Sequence, residues 1–327
     1  MVASRHPLRQ TAEISVRAGL AAGRFVDATV AGVHRLGSAT ALPWPHEGQA
    51  SVMVVGGGSL GTVGSQQPVP IASITKLMTA LVVLREHPLR LREAGPLVRI
   101  DAAAASESAS EIESVVPVAE GQSISLRVLL EYLLVPSGNN IARLLARWCA
   151  GSEAAFVRRM NETAAALGMN RTTFTGSCGM DPGNCSTAED LLLLARAAMD
   201  EETLRTVVAT PVVLLPDGAA GHTTNRLLGR HGVVGLKTGT TTPAGGNVLW
   251  AVTVDVHGTQ RLVLGAVLAQ RAGRSPVRAR AAVWAQTERM VKAIRRAATE
   301  LPVTEPPGTD PAPAAPAATT LLGHPCR

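Results

Sequence analysis

The sequence predicts an α/β fold in which an antiparallel sheet is flanked by helices and a helical subdomain. Three observations predict it: an early strand at 50–55, a helical middle at about 124–200, and two late strands at 247–256 and 261–270. The HGTQ stretch at 257–260 is typical of a hairpin turn and joins the late strands. We expect these last strands to pair with the first strand and so complete one sheet.

The remaining elements follow in order. Residues 71–86 have the apolar pattern of a helix. The middle contains four apolar helical stretches, within 123–135, 139–151, 152–168 and 186–200. A strand at 232–239 precedes the late pair, and a helix within 271–298 closes the domain. One domain covering 44–300 is therefore predicted, which is long enough to bury a sizeable core.

The two ends differ from this domain in composition. Residues 1–43 are Ala-rich and are predicted to form an N-terminal extension. Charged residues interrupt each of its apolar runs, so no secretory signal or membrane span is visible there. Residues 301–327 are rich in Pro and Ala and are predicted to form a disordered tail.

The charge of the chain is concentrated in one segment. The net charge is +6, and residues 271–298 alone carry eight Arg or Lys residues against one Glu. A helix there would place Val277, Trp284, Val291 and Ile294 on one face. We interpret the segment as a helix packed on the domain with a solvated basic face; contact with an anionic membrane or wall polymer is the alternative.

Composition also argues against other classes. Aromatic residues make up only 2% of the 327 residues, which disfavours base stacking on single-stranded nucleic acid. No nucleic-acid partner is therefore expected; salt-dependent DNA binding through the basic segment would contradict this. The cysteines lack zinc-ligand spacing, so we expect neither a metal nor a cofactor.

Lysine is used sparingly. Of the 31 Lys and Arg residues, only Lys76, Lys237 and Lys292 are lysines. Arginine stays protonated in proteins, whereas a buried lysine can lose its proton. Two of the three lysines lie in motifs, where a titratable cation has a chemical use.

The first motif is Ser73-Ile74-Thr75-Lys76. Residues three apart on a helix share a face, so the serine hydroxyl and the lysine amine can meet. A neutral amine can take the proton of a serine hydroxyl and make it a nucleophile. Burial would lower the pKa of this lysine, as would a second cation nearby.

The second motif is Ser137-Gly138-Asn139, between two apolar helical runs. Ser and Asn are good helix caps, so a capping role is one interpretation. The functional interpretation places a hydroxyl and a carboxamide in the wall of a cleft.

The third motif is Lys237-Thr238-Gly239, at the end of a strand. Its glycine allows another backbone to approach closely, and the strand edge could hold an extended peptide and its terminal carboxylate. The alternative is an edge strand whose lysine discourages aggregation.

Together the three motifs resemble the signature set of the penicillin-recognising serine enzymes. Over about residues 44–300 the sequence is similar to the D-alanyl-D-alanine carboxypeptidases among the low-molecular-mass penicillin-binding proteins. The stretches that carry the likeness are PIASITKLMTA, VPSGNNIARLLA, MNETAAALGM, STAEDLLLLA, TTNRLL and GVVGLKTGTTTPAGGN. The resemblance implies a beta-lactamase/transpeptidase-like fold and a serine peptidase that removes the terminal D-alanine from peptidoglycan stem peptides.

The resemblance also implies roles for single residues. Ser73 would attack the carbonyl between two terminal D-alanines of a stem peptide ending in D-Ala-D-Ala, and beta-lactams would acylate the same serine. Lys76, kept partly neutral by burial and by Lys237, would be the base. Ser137 would relay a proton to the leaving D-alanine, and Asn139 would hydrogen-bond Lys76 and the substrate.

The third motif would bind the end of the substrate. The resemblance implies that Lys237 and Thr238 hold its terminal carboxylate, with Gly239 beside them. The backbone N–H groups of Ser73 and Thr240 would form the oxyanion hole. Such enzymes work outside the cytoplasmic membrane, so an extracytoplasmic location in the cell envelope or as a secreted protein is expected.

Two other functions share these motifs. A class A beta-lactamase would need a Glu-x-x-Leu-Asn element to activate the deacylating water, and none occurs between 140 and 235. A beta-lactam sensor or peptidoglycan-binding relative would acylate but turn over slowly.

Cys178 and Cys185 flank a turn-forming GMDPGN stretch, and the spacing fits either a small disulfide loop or two free thiols.

Overall fold

A five-stranded antiparallel sheet organises the computed structural model, which describes residues 42–300. The strands are β1 Gln49–Val54, β2 Gly58–Val63, β3 Val69–Pro70, β4 Leu97–Arg99, β5 Ser123–Ser125, β6 Cys185–Ser186, β7 Val212–Leu214, β8 Ala220–His222, β9 Val233–Thr241, β10 Gly245–Val256 and β11 Thr259–Gln270. The helices are α1 Thr75–Glu86, α2 Ala102–Glu107, α3 Leu126–Leu134, α4 Asn139–Ala150, α5 Glu153–Ala166, α6 Ala188–Asp200, α7 Glu202–Val208 and α8 Pro276–Glu300.

The strand order of the main sheet is β2-β1-β11-β10-β9. β10 and β11 form the expected hairpin, and β1 pairs antiparallel with β11 from Gln49 opposite Leu268 to Val54 opposite Val263. The prediction that the last strands pair with the first is confirmed. β9, which carries the Lys-Thr-Gly motif, is left at an edge of this sheet.

The two faces of the sheet bury different cores. On β10, Val248, Trp250 and Val252 pack on the side of α8, whereas Leu249 and Ala251 pack on the side of the helical middle. Side chains of a strand alternate between faces, so a strand covered on both sides reads as a continuous apolar run. This double burial explains the unbroken apolar stretches of β10 and β11, and the predicted fold class is confirmed.

The helical middle surrounds α1. Every residue of α1 from Thr75 to Leu84 is buried, so the helix is covered on all sides. It packs against α3, α4, α5 and α6, which are the helices predicted between 124 and 200. A helix that is apolar all round belongs in a core, and this one carries Lys76 into that core.

The basic helix differs from its prediction at its start. α8 begins at Pro276, five residues into the predicted segment. Trp284, Val291 and Ile294 are buried against the sheet as expected, but Val277 is 68% exposed, so its predicted place on the apolar face is wrong. Val277 lies in the first turn of α8, and its exposure shows that this turn leaves one side open to solvent.

The predicted extension at 1–43 and the predicted tail at 301–327 lie outside the described residues, apart from Leu42 and Pro43, and remain predictions. Within residues 42–300, no helix combines the length and the apolarity that crossing a bilayer requires.

Substitution Gly265→Ala is expected to lower the free energy of unfolding by about 1–3 kcal/mol, because it overpacks the sheet. Gly265 on β11 lies opposite Trp250 on β10, and a Cβ at position 265 would stand 2.0 Å from the indole ring. Urea unfolding followed by circular dichroism measures the difference. The matched control is Thr259→Ala at the exposed start of β11; equal stability of the two variants would contradict the prediction.

Candidate active site

Ser73 and Lys76 are in direct contact. Ser73 lies in a short 3₁₀ turn, Ala72–Ile74, that leads into α1, and Lys76 lies in the first turn of α1. The Lys76 Nζ donates to Ser73 Oγ at 2.9 Å and to the backbone oxygen of Cys178 at 2.7 Å. The spacing of the first motif therefore produces the hydroxyl–amine pair that the sequence predicts.

Burial makes this amine unusual. Lys76 is 0% exposed, and its desolvation lowers the pKa of the ammonium from 10.5 to about 8. Cys178 and Glu113 oppose the shift, and Arg143 on α4 adds to it. The expected effect of burial is present, and Arg143 is a further cation that disfavours the charge of Lys76.

Lys237 is buried in the same manner. It lies on β9 at 1% exposure, and its Nζ donates to the backbone oxygen of Thr238 at 3.2 Å and to Thr224 Oγ1 at 3.5 Å. Burial, and then the nearby Lys76, lower the pKa of Lys237 well below 10.5. The chain thus places two buried lysines close enough for one to disfavour protonation of the other.

Gly239 lets β9 approach the serine. A Cβ at this position would lie 2.4 Å from the backbone oxygen of Ile71 and 3.0 Å from the backbone nitrogen of Ser73. Any side chain here would push β9 away from the turn that carries Ser73. The close approach that the sequence predicts for this glycine is therefore present.

Backbone strain marks two positions of the site. Ala72, just before Ser73, has φ +47°, and Ser137 has φ +69°. Non-glycine residues rarely adopt these values, which cost about 1–3 kcal/mol each. Ser137 lies in the loop between α3 and α4, and this backbone conformation accompanies the presentation of its side chain at the cleft.

Asn139 begins α4 and is only 2% exposed. Its Nδ2 donates to Glu113 Oε2 at 3.0 Å, while its Oδ1 is buried without a hydrogen-bond partner among the described residues. The implied hydrogen bond between Asn139 and Lys76 is absent: Lys76 donates to Ser73 and Cys178, and Asn139 donates to Glu113. An unpaired buried carbonyl oxygen costs about 1–3 kcal/mol, and so it is a group that a donor would satisfy.

The cleft itself is lined by residues of all three motifs. Its wall consists of Ser73, Ser114, Ser137, Thr224, Thr238, Gly239, Thr240, Asn247, Val248, Arg280, Val283 and Trp284. Lys76, Asn139 and Lys237 are buried and do not form part of this wall. Five of the eight predicted site residues thus meet at one surface, with the other three behind it.

Sequence reasoning missed three residues here. Thr224 Oγ1 accepts from Thr238 Oγ1 at 2.8 Å. Thr224 belongs to the TTNRLL stretch, in which the sequence alone indicates no role for a single residue. Arg280 brings an exposed cation from α8 to the cleft, but in the sequence it is one of many arginines. Glu113 has no motif around it, and only the contact with Asn139 identifies it.

The two cysteines beside the site are free thiols in the structure, so the disulfide that the sequence allowed is not formed. Cys178 is buried beside Lys76, and its backbone oxygen accepts a hydrogen bond from the Lys76 amine. Cys185 lies in β6, and its Sγ is 3.1 Å from the backbone oxygen of Pro182. The turn between them holds the two thiols in separate environments.

Residues 56–268, which include all three motifs, match the family described as D-alanyl-D-alanine carboxypeptidase. The chain belongs to this family. D-alanyl-D-alanine carboxypeptidase DacC of Escherichia coli is 33% identical over 201 residues, which are 60% of this chain and 50% of that protein. A D-alanyl-D-alanine endopeptidase of Pseudomonas aeruginosa is 37% identical over 206 residues, 61% of this chain and 64% of that protein.

The structure is also similar to that of the Streptomyces K15 DD-transpeptidase, with a TM-score of 0.63 and 27% identity. That likeness covers 75% of this chain and 95% of the other. By contrast, this chain spans only about half to two thirds of the length of the two curated relatives above. The family and the fold are thus shown by independent comparisons.

The three lysines allow the buried amines to be measured directly. In protein labelled with ¹³C and ¹⁵N at lysine, we expect the Lys76 side-chain resonance to titrate with a pKa near 8, because burial disfavours its charge. The Lys237 resonance should also titrate well below 10.5. Assignment uses Lys76→Met, Lys237→Met and Lys292→Arg; a Lys76 resonance that titrates at 10.5 would contradict the prediction.

Proposed function

We propose that this protein is a serine-type D-alanyl-D-alanine carboxypeptidase that removes the terminal D-alanine from peptidoglycan stem peptides. The observation that carries the proposal is the 2.9 Å contact between Ser73 Oγ and the buried Lys76 amine. Membership of the carboxypeptidase family supports it. Beta-lactams are the expected inhibitors, because they would acylate the same serine.

Acylation uses the serine and the two groups around it. Lys76, in its neutral form, takes the proton of Ser73 Oγ, and the oxygen attacks the carbonyl carbon between the two D-alanines. The negative charge that develops on the carbonyl oxygen is stabilised by the backbone N–H groups of Ser73 and Thr240. The C–N bond then breaks, and Ser137 relays to the amine of the departing D-alanine the proton that Lys76 took from Ser73.

Deacylation returns the enzyme to its starting state. Water loses a proton to the site base and attacks the Ser73 ester, which releases the shortened stem peptide. Asn139 takes part through its buried Oδ1, which has no hydrogen-bond partner within residues 42–300 and can accept from the Lys76 amine or from a substrate amide. The oxygen and proton balance is that of an ordinary peptide hydrolysis.

The edge of β9 is the proposed peptide-binding surface. A stem peptide lying along this edge extends the sheet by one strand, with main-chain hydrogen bonds to residues near Gly239. Its terminal carboxylate then faces Thr238 and the positive charge of Arg280 in the cleft wall, with Lys237 buried behind that wall. This arrangement favours a substrate with a free carboxylate one residue beyond the bond that is cut.

The beta-lactamase alternative gains less support from the carboxylate nearest to Asn139. Glu113 is the carboxylate that the structure brings to Asn139, but both of its oxygens accept from Arg143, at 3.0 and 2.9 Å. A carboxylate held in this way is a poor candidate for activating a deacylating water.

Endopeptidase activity on crosslinked peptides would use the same acyl-enzyme. A release assay on crosslinked stem-peptide dimers distinguishes this activity from carboxypeptidase activity.

The proposed substrate places the enzyme outside the cytoplasmic membrane, in the cell envelope or as a secreted protein. Stem peptides of the assembled wall are found there, and the family of carboxypeptidases to which the chain belongs acts on such peptides.

Ser73→Ala is expected to abolish D-alanine release from a stem-pentapeptide mimic, by at least about 10³-fold, because the nucleophile is lost. It should also abolish covalent labelling by a fluorescent penicillin, read by gel and by intact mass. The control is Ser59→Ala, an exposed serine on β2. Labelling that persists in Ser73→Ala, or a folded wild-type protein that neither labels nor releases D-alanine, would refute the proposal.

We also propose that the exposed face of α8, with the turn before it, contacts phosphate-bearing polymers or lipids of the envelope. Arg274, Arg278, Arg295 and Arg296 are exposed and make no salt bridge to any residue between 42 and 300. Arg271, Arg274 and Arg278 line a shared depression. Exposed arginines without acidic partners attract an anionic surface over about a Debye length.

The double variant Arg274→Gln/Arg278→Gln should weaken binding to phosphatidylglycerol vesicles about 10-fold or more, since each arginine contributes about 1 kcal/mol near such a surface. Cosedimentation measures it, with phosphatidylcholine vesicles and purified wall as parallel arms that separate lipid from polymer. Arg90→Gln/Arg92→Gln, two exposed arginines outside this face, is the control. Equal binding of both double variants would contradict the proposal.

A further inference from the structure

A carboxylate stands behind the second motif. Glu113 lies in the loop between α2 and β5, and its side chain is 18% exposed. It accepts from Asn139 Nδ2 at 3.0 Å and from Arg143 through both oxygens. It does not line the cleft, so it does not touch a substrate bound there.

We propose that Glu113 is a positioning residue for the acylation of Ser73: it fixes the orientation of the Asn139 carboxamide, so that Oδ1 is the group offered to the catalytic residues. The inference rests on the proposed function and adds a residue that none of the three motifs contains.

The orientation follows from hydrogen-bond chemistry. An ionised carboxylate only accepts hydrogen bonds, so Glu113 can hold the amide nitrogen of Asn139 but not its oxygen. The oxygen must then face away from Glu113, where it is buried without a partner. A neutral Gln at position 113 would hold either end of the carboxamide, and this selection would be lost.

The neighbouring asparagine provides the contrast. Asn140 uses both ends of its carboxamide within the fold: Oδ1 accepts from the Val116 nitrogen at 3.0 Å, and Nδ2 donates to the oxygens of Ala104, Ser108 and Val116. Asn140 therefore connects the loop to α4, and neither its Oδ1 nor its Nδ2 remains without a hydrogen-bond partner. In Asn139, Nδ2 is held by Glu113, whereas Oδ1 has no partner among the described residues. Its Oδ1 therefore remains able to accept a hydrogen bond at the site.

Glu113 is itself held in place. Arg143 lies one turn after Asn139 on α4 and pairs with Glu113 at 2.9 Å and with Glu107 at 3.1 Å. The backbone nitrogen of Asn139 also donates to the Ser114 oxygen at 2.7 Å. The carboxylate is thus anchored from α4 and from its own loop, and its position relative to Asn139 has little freedom.

The same carboxylate acts on the charge of Lys76. The charged or titratable groups that face Lys76 are Glu113 from this loop, Arg143 from α4, Lys237 from β9 and the thiol of Cys178. Glu113 raises the pKa of Lys76, against the larger effect of burial. Removing its negative charge therefore lowers the pKa of Lys76 and makes the neutral amine available at lower pH.

The experiment measures the second-order rate constant for acylation by a fluorescent penicillin as a function of pH. The proteins are the full-length wild type, Glu113→Gln, Glu113→Asp and the control Glu111→Gln, which changes an exposed glutamate two residues away. We expect Glu113→Gln to lose about 10- to 100-fold in rate, as for a lost hydrogen bond to a charged group, and to reach half-maximal rate at lower pH. Glu113→Asp keeps the charge and should keep the wild-type midpoint, with a reduced rate.

Each outcome decides between roles. A Glu113→Gln profile equal to that of Glu111→Gln would overturn the inference, as would a reduced rate with an unmoved midpoint, which a purely structural role predicts. Thermal unfolding checks that each variant is folded; if Glu113→Gln does not fold, a Glu113→Asp rate equal to that of Glu111→Gln overturns the inference, because the shorter carboxylate no longer reaches Asn139 Nδ2. A wild type that is not acylated at all would overturn the proposed function instead.

Discussion

The burial of a lysine ammonium next to a serine is the constraint on which the rest of this site depends. A charged amine in a core is costly unless its hydrogen bonds are provided, and here the Ser73 hydroxyl and the Cys178 backbone oxygen provide two of them. The remaining cost appears as a pKa lowered to about 8. A fold that did not cover α1 on all sides would leave Lys76 in water, where it would remain charged and could not serve as a base.

The helices of the middle cover α1, and the short turn that leads into it packs against β9 and β10. The sheet supplies β9, whose edge meets the serine turn only because position 239 has no side chain. The helical middle supplies the loop of Ser137 and the start of α4. The strained backbone at Ala72 and Ser137 occurs where these parts converge, which is where packing from both sides can hold an unfavourable conformation in place.

Charge is arranged in layers around this centre. Two lysines, Lys76 and Lys237, are buried at the centre, and burial lowers the pKa of both. The nearby Lys76 lowers the pKa of Lys237 further. Around them, Arg143 and Glu113 form a partly buried ion pair that acts on Lys76 with opposite signs. The arginines of α8 that make no salt bridge within the described part of the chain lie on the outside, where solvent reduces their effect on the centre.

The sequence by itself determined the fold class, the hairpin, the helical middle and the three motifs, because these depend on local spacing and on the period of apolar residues. It could not identify Glu113 as a partner of Asn139, 26 residues away, or separate Arg280 from 27 other arginines. The resemblance implied a hydrogen bond between Asn139 and Lys76 that the structure does not contain, and the helical pattern placed Val277 on the packed face of α8, where the structure exposes it. Only the tertiary structure decided these points, since hydrogen bonds between distant segments and the exposure of a helix's first turn depend on how the elements pack.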